Sequence, residues 1–218
     1  MPHVMSPRLV RVAASVAAAA AFAAPVAAAA PPATLKSQTA LGGWTVEAYP
    51  QQNVLPVWPD NPNDASIPIG VTPYDEIAPK LNALQAASRR VSARVAGKSW
   101  GGYDLYAVTV TAPETAAESA QQEAWKQLLE DDPVRARQDP ELLARYKTPL
   151  FINGNIHGNE WEGTDAILRV VEEWATSTDP AVEQLLQRNR IVINVTSNPD
   201  GRVAGTRANG AGYDLNAT

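Results

Sequence analysis

His157 and Glu160 stand three residues apart in the stretch Asn153-Gly154-Asn155-Ile156-His157-Gly158-Asn159-Glu160-Trp161-Glu162-Gly163. At a strand-to-helix junction, an imidazole and a carboxylate so spaced can turn onto one zinc ion, with nitrogen at ~2.0–2.1 Å and oxygen at ~2.0–2.2 Å. Gly154 and Gly158 allow a sharp turn and a close backbone approach. The same short pattern also describes a surface histidine before a helix, with Glu160 merely favouring the positive helix end. The chain has no cysteine and two histidines, His3 and His157. Disulfides, zinc fingers and thiol catalysis are thereby excluded, and any metal must rest on His, Asp or Glu. A second polar loop follows at Thr196-Ser197-Asn198-Pro199-Asp200-Gly201-Arg202, then Arg207, Asn209, Gly212 and Asp214-Leu215-Asn216. Taken alone, Arg207 reads as a solvated surface charge and Asn216 as a turn residue. Asp200 reads as part of the Asn198–Gly201 turn, and Trp161 and Glu162 either line the site or pack beneath it.

Both polar loops end apolar runs. Pro149 to Gly154 and Arg190 to Val195 read as two buried strands. Between them Glu160 to Thr176 reads as a helix with Ala166, Ile167, Val170, Val171 and Trp174 on one face, followed by a shorter turn or two from Ala181 to Arg188. Strand, crossover helix and strand predict a βαβ unit with parallel strands. Parallel neighbours would bring the two loops together beyond the carboxyl ends of the strands, where ligand sites of open α/β sheets form. Upstream, Thr72 is positioned to cap a helix that opens with Pro73, Asp75 and Glu76 and carries Ile77, Leu81, Leu84 and Ala87. Pro79 is awkward inside it. Val91 to Val95 and Tyr103 to Thr111 alternate with period two around a glycine-bearing turn and predict a hairpin. Ala116 to Tyr146 is helical in pattern and is expected to split at Pro133 and Pro140 into two short helices. The fold class is therefore α/β, a mixed β-sheet with flanking helices.

The chain is 218 residues long, 45% hydrophobic and 19% charged, with a net charge of −5. That allows one packed domain and argues against a nucleic-acid binder, which needs a basic surface. Arg8 and Arg11 precede an apolar run from Val12 to Ala24, and Pro25 and the small residues to Ala30 follow. This is the layout of a cleaved secretory signal, so a secreted, extracellular protein is expected, with no membrane association after cleavage. Three segments result: a signal at 1–30, a Pro/Asn-rich extended segment at 31–71 to be pinned by Trp44 and Trp58, and a domain from 72 to 218.

The stretch Asn153 to Gly163, the Asn198-Pro199-Asp200-Gly201 loop, and Arg207, Asn209, Gly212 and Asp214-Leu215-Asn216 together resemble the zinc metallocarboxypeptidase family (carboxypeptidase A/B-like) in order and spacing. The upstream run from Tyr74 through Gly97-Lys98-Ser99 to Tyr106-Ala107-Val108 is similar to that family's opening helix and hairpin. The resemblance implies a carboxypeptidase-like (phosphorylase/hydrolase-like) fold and hydrolysis of the C-terminal residue of a peptide or protein substrate, with zinc as cofactor. It implies that His157 and Glu160 are zinc ligands. It implies that Arg207 polarises the scissile carbonyl and stabilises the oxyanion, and that Asn216 helps hold the substrate's terminal carboxylate.

The family places an arginine after that asparagine, where this chain has Ala217. Its third zinc ligand (a His), its water-activating Glu and a substrate-facing Tyr lie downstream of the position of Thr218. The expectation is an incomplete catalytic domain, truncated before its second half, with an open sheet edge and little or no turnover alone. Two other readings remain: an exported, non-catalytic peptide-binding module, and an aspartoacylase-like zinc amidohydrolase, which also uses His-x-x-Glu and a downstream Asp-Leu-Asn. The sequence says nothing about oligomeric state.

Overall fold

The computed structural model describes residues 39–41 and 44–216. The expected signal at 1–30 and Ala217 lie outside the described residues. A small hairpin pairs β1 (Thr39–Leu41) with β2 (Trp44–Val46). The main sheet has the order β3-β4-β6-β5, formed by β3 (Val91–Lys98), β4 (Asp104–Val110), β5 (Thr148–Asn153) and β6 (Asn189–Asn194). β3–β4 and β4–β6 are antiparallel and β5–β6 is parallel, so the sheet is mixed.

The alternation in β4 buries Asp104, Tyr106, Val108 and Val110 on one face. Against that face pack α1 (Tyr74–Ala87), through Ile77 and Leu81, and α5 (Glu162–Thr176), through Ile167, Leu168 and Val171. Val91, Ala93, Ile191 and Ile193 complete the core. Each large apolar side chain so buried contributes roughly 1.5–3 kcal/mol. A second, smaller cluster of Trp125, Ala136 and Leu142 ties together α2 (Ala116–Asp131), α3 (Pro133–Ala136) and α4 (Pro140–Arg145). The remaining helices are α6 (Pro180–Arg188) and α7 (Pro199–Ala204). No helix among the described residues is long and apolar enough to cross a membrane.

Several local expectations are corrected. Thr72 is not the cap of α1, because its amide and hydroxyl both donate to Asp165; Pro73 holds the cap position. Pro79 sits inside α1 without ending it. Pro133 and Pro140 do not divide one helix into two short ones. α2 runs 16 residues, and each proline opens a further helix behind an Asp whose side chain accepts from the first turn. The same Asx-Pro start recurs at Asp179-Pro180 and Asn198-Pro199, so the supposed Asn198–Gly201 turn is the first turn of α7. The buried face of α5 lies over Thr164, Ile167, Leu168, Val171 and Ala175, leaving Ala166 exposed.

β5 departs furthest from its expectation. Its apolar run predicts a buried strand, yet it lies at a sheet edge, the open edge expected of an incomplete domain, and all its residues but Ile152 are exposed, Phe151 at 68% and Leu150 at 40%. Continuous hydrophobicity marks a strand meant to be covered, and here only Ile152 packs against the core while the face carrying Phe151 is open.

In the segment before α1, Trp58 is pinned to the domain. Its indole donates to the buried Asp104 at 2.7 Å, and its ring packs on Tyr74 and Tyr103. The side chain of Trp44 lies outside what is described.

Candidate active site

The parallel pairing of β5 and β6 puts the two polar loops side by side, with Asn153 opposite Asn194 at the strand ends. Cross-links join them at once. The Gly154 amide donates to Asn194 O at 3.0 Å, the Ser197 amide donates to Gly154 O at 3.0 Å, and the Thr196 hydroxyl donates to Asn155 Oδ1 at 2.7 Å. Such mutual bonding satisfies backbone that would otherwise be orphaned beyond the sheet.

His157 and Glu160 lie in the turn between β5 and α5. Glu160 precedes the helix, which begins at Glu162 rather than Glu160. The imidazole is buried and its Nδ1 is 2.8 Å from Glu160 Oε1. Its Nε2 is buried without a well-directed hydrogen bond, and the nearest acidic oxygen is Asp214 Oδ1 at 3.3 Å. The ring is therefore flanked by a carboxylate on each nitrogen. Arg207 joins the group: its Nε donates to Asp214 Oδ2 at 2.7 Å, and its Nη1 is 3.7 Å from Glu160 Oε1. The Arg207 carbonyl accepts from Asn198 Nδ2 at 3.2 Å, which ties this loop to the cap of α7. Its guanidinium is half exposed, open to a ligand.

Asp214 is held ionised. The Asn216 amide and then the Arg207 side chain stabilise its carboxylate and push its pKa below the usual carboxylate value. This residue went unassigned in the sequence, although Asp-Leu-Asn was part of the motif. The signal available was its place seven residues after Arg207. Asn216 itself is exposed, and only its backbone takes part, through that amide. Its side chain makes no hydrogen bond among the described residues. Asp200 serves a different junction: its Oδ1 accepts from the Ser99 hydroxyl at 2.7 Å and the Gly101 amide at 3.1 Å, docking the β3–β4 turn on α7. Trp161 packs beneath the site, its indole donating to Arg202 O at 3.0 Å, while Glu162 opens α5.

Three of the four residues singled out from sequence, His157, Glu160 and Arg207, thus meet at the mouth of the sheet, and the side chain of Asn216 does not join them. Among the described residues no three His, Asp or Glu side chains gather to hold one metal ion. Asp214 does not supply the third because it lies on the opposite ring nitrogen from Glu160.

The sequence model of the zinc carboxypeptidase family matches residues 77–217. The chain belongs to the zinc carboxypeptidase family. No curated protein matches it. Among solved structures, the metallo-carboxypeptidase of Burkholderia cenocepacia is 23% identical with a TM-score of 0.50, over 67% of this chain and 32% of that one. A Pseudomonas aeruginosa metallo-carboxypeptidase, solved with (2-guanidinoethylmercapto)succinic acid, is 18% identical with a TM-score of 0.49, over 67% and 31%. Thrombin activatable fibrinolysis inhibitor is 18% identical with a TM-score of 0.45, over 72% and 35%. This zinc carboxypeptidase chain spans about a third of the length of these structures. At 23% identity the first likeness is one of fold, and the mixed sheet with flanking helices is that fold.

Proposed function

We propose that this chain forms the part of an exported zinc carboxypeptidase that supplies two metal donors and an oxyanion-stabilising arginine for removing C-terminal residues from peptides. The observation that carries the reading is the meeting of His157 Nδ1, Glu160 Oε1 and Arg207 at the carboxyl ends of two parallel strands. The donor set fits zinc. An imidazole nitrogen lies beside a carboxylate oxygen, and the ring's buried second nitrogen faces another carboxylate, the partner that fixes the tautomer of a metal-binding histidine. Zinc, when bound, supplies Lewis acidity toward a peptide carbonyl. Arg207 offers a fixed positive charge to the oxygen on which negative charge develops, held in place through its Nε by Asp214. Asp214 thereby orients the imidazole and the guanidinium together. Asn216 stands in the same turn, where its exposed side chain is available to a substrate carboxylate.

A catalytic zinc site ordinarily has three protein ligands, and the described residues provide two. The reading therefore predicts measurable but weak zinc binding and no turnover of blocked dipeptides by the chain alone. The test is competition titration of the signal-free chain with zinc, alongside His157→Ala and Glu160→Gln. Binding lost in both variants is the expected result. Binding unaffected by either, or chelator-sensitive hydrolysis by this chain, overturns the reading.

A further inference from the structure

Asn155 is the one residue other than glycine with a left-handed backbone among the described residues, at φ 50°. Its side chain is buried and fully engaged. The carboxamide nitrogen donates to the carbonyls of His157 at 2.8 Å and Glu160 at 3.0 Å, with a longer contact to Gly158 O at 3.3 Å. The carboxamide oxygen accepts from the wholly buried Thr196 hydroxyl at 2.7 Å. Chemistry fixes this orientation, since a flipped amide would set its oxygen against three carbonyl oxygens. One side chain thus gathers the carbonyls of both metal-donor residues and anchors them to the loop that follows β6.

We propose that Asn155 is the positioning residue of the His157–Glu160 pair: its carboxamide, braced by Thr196, draws the 157–160 turn closed and so sets imidazole and carboxylate side by side. The physical reason is local. The turn between β5 and α5 has few bonds of its own. The Glu160 amide donates to His157 O at 3.1 Å, and the Gly163 amide donates to Glu160 O at 3.3 Å. Two N–H groups of the buried carboxamide give each of these carbonyls a second hydrogen bond, worth about 0.5–1.5 kcal/mol apiece. A glycine could adopt the same backbone angle, so the angle alone does not call for asparagine. The consequence for metal rests on the function proposed above, whereas the arrangement of the turn does not.

The experiment separates the two. Asn155→Gly keeps the left-handed backbone and removes the carboxamide. Asn155→Asp keeps the shape and the acceptor for Thr196 but turns the donor into an oxygen facing carbonyls. Three readouts are taken on the full chain: far-UV circular dichroism, nuclear Overhauser contacts between the His157 ring and the Glu160 side chain without metal, and zinc affinity by competition. The expected result for Asn155→Gly is native circular dichroism, loss of the ring contacts and zinc affinity lower by on the order of 10–100-fold, the range for residues that orient metal ligands. Asn155→Asp should lose at least as much. Ring contacts retained in Asn155→Gly would overturn the proposal, by showing that backbone conformation suffices. If wild type binds no zinc, the function fails, and the metal-free contacts still decide for or against Asn155. If Asn155→Gly does not fold, Thr196→Val takes its place: weakened ring contacts support the proposal and unchanged ones overturn it.

Discussion

Replacing Gly158 by alanine would place a methyl carbon 2.1 Å from the Gly201 carbonyl carbon and 2.4 Å from both Gly201 Cα and the Arg202 nitrogen. Carbon atoms pack at roughly 3.5–4.0 Å, so the donor turn and α7 would have to part by about 1.4 Å. All three atoms met are backbone, and backbone cannot rotate away as a side-chain tip can. The Gly201 and Arg202 amides are also held at the start of α7 by Asn198, at 2.9 Å each. Separation would stretch the reciprocal pair in which Trp161 donates to Arg202 O at 3.0 Å and Arg202 Nη1 donates to Trp161 O at 3.1 Å. Overpacking costs ~1–3 kcal/mol, and each hydrogen bond lost adds ~0.5–1.5 kcal/mol. A destabilisation of about 2–6 kcal/mol follows, which for a chain of this size lowers Tm by roughly 4–24 °C. Thermal unfolding followed by circular dichroism measures it, with Gly97→Ala as the control. There the added carbon meets only Leu105 Cδ1 at 3.9 Å, an ordinary contact, and a change within about 0.5 kcal/mol is expected. Gly158→Ala melting together with wild type would refute the close seating of the donor turn on α7.

Two further outcomes test the frame around the site. Lys147 is buried beside Glu114 at 3.0 Å, and burial pushes its pKa below the ordinary lysine value. The folded state therefore disfavours its charge, and stability should rise as pH climbs from the folded pKa toward the unfolded value of about 10.4. In urea unfolding across alkaline pH, the gap between wild type and Lys147→Met should change in that direction; a gap independent of pH would refute it. The exposed edge strand β5 should make the chain self-associate with rising concentration, and Phe151→Lys should reduce this in light scattering after gel filtration. Equal association of the two proteins would show that β5 is not the contact.

The period-two alternation of β4 and the helical spacing of Ile77 and Leu81 are set by local geometry, and both could be read directly from the sequence. So could the parallel pairing of β5 with β6, because a strand-helix-strand succession has few topologies open to it. Burial of β5 could not be read in the same way. Apolar composition says that a strand is suited to cover and does not say what covers it. Thr72 misled for a related reason: a residue able to cap a helix was taken instead by Asp165, which is 93 residues away in sequence. In the site, His157 and Glu160 stand out by type and spacing, whereas Arg207, alone a surface charge, is marked only by the family resemblance. Asp214 and Asn155 act through the orientation of other side chains, and residue type carries no mark of that.

The charges at the site explain why these four side chains belong together. With the imidazole neutral, Glu160 and Asp214 leave one negative charge in excess over Arg207. Both carboxylates reach His157, one on each ring nitrogen, and a neutral ring can donate to only one of them. The buried imidazole is thus overprovided with acceptors, and a metal held by His157 and Glu160 under the proposed function would resolve the conflict by leaving the single ring proton for Asp214. Under the proposed function, a divalent cation would also turn the excess from negative to positive, which would suit the anionic terminus of a peptide. Arg207 is bound on its Nε side by Asp214, while its Nη1 lies 3.7 Å from Glu160 Oε1 and its side chain stays half exposed. The carboxylate that faces the buried histidine nitrogen is therefore the same one that holds the arginine.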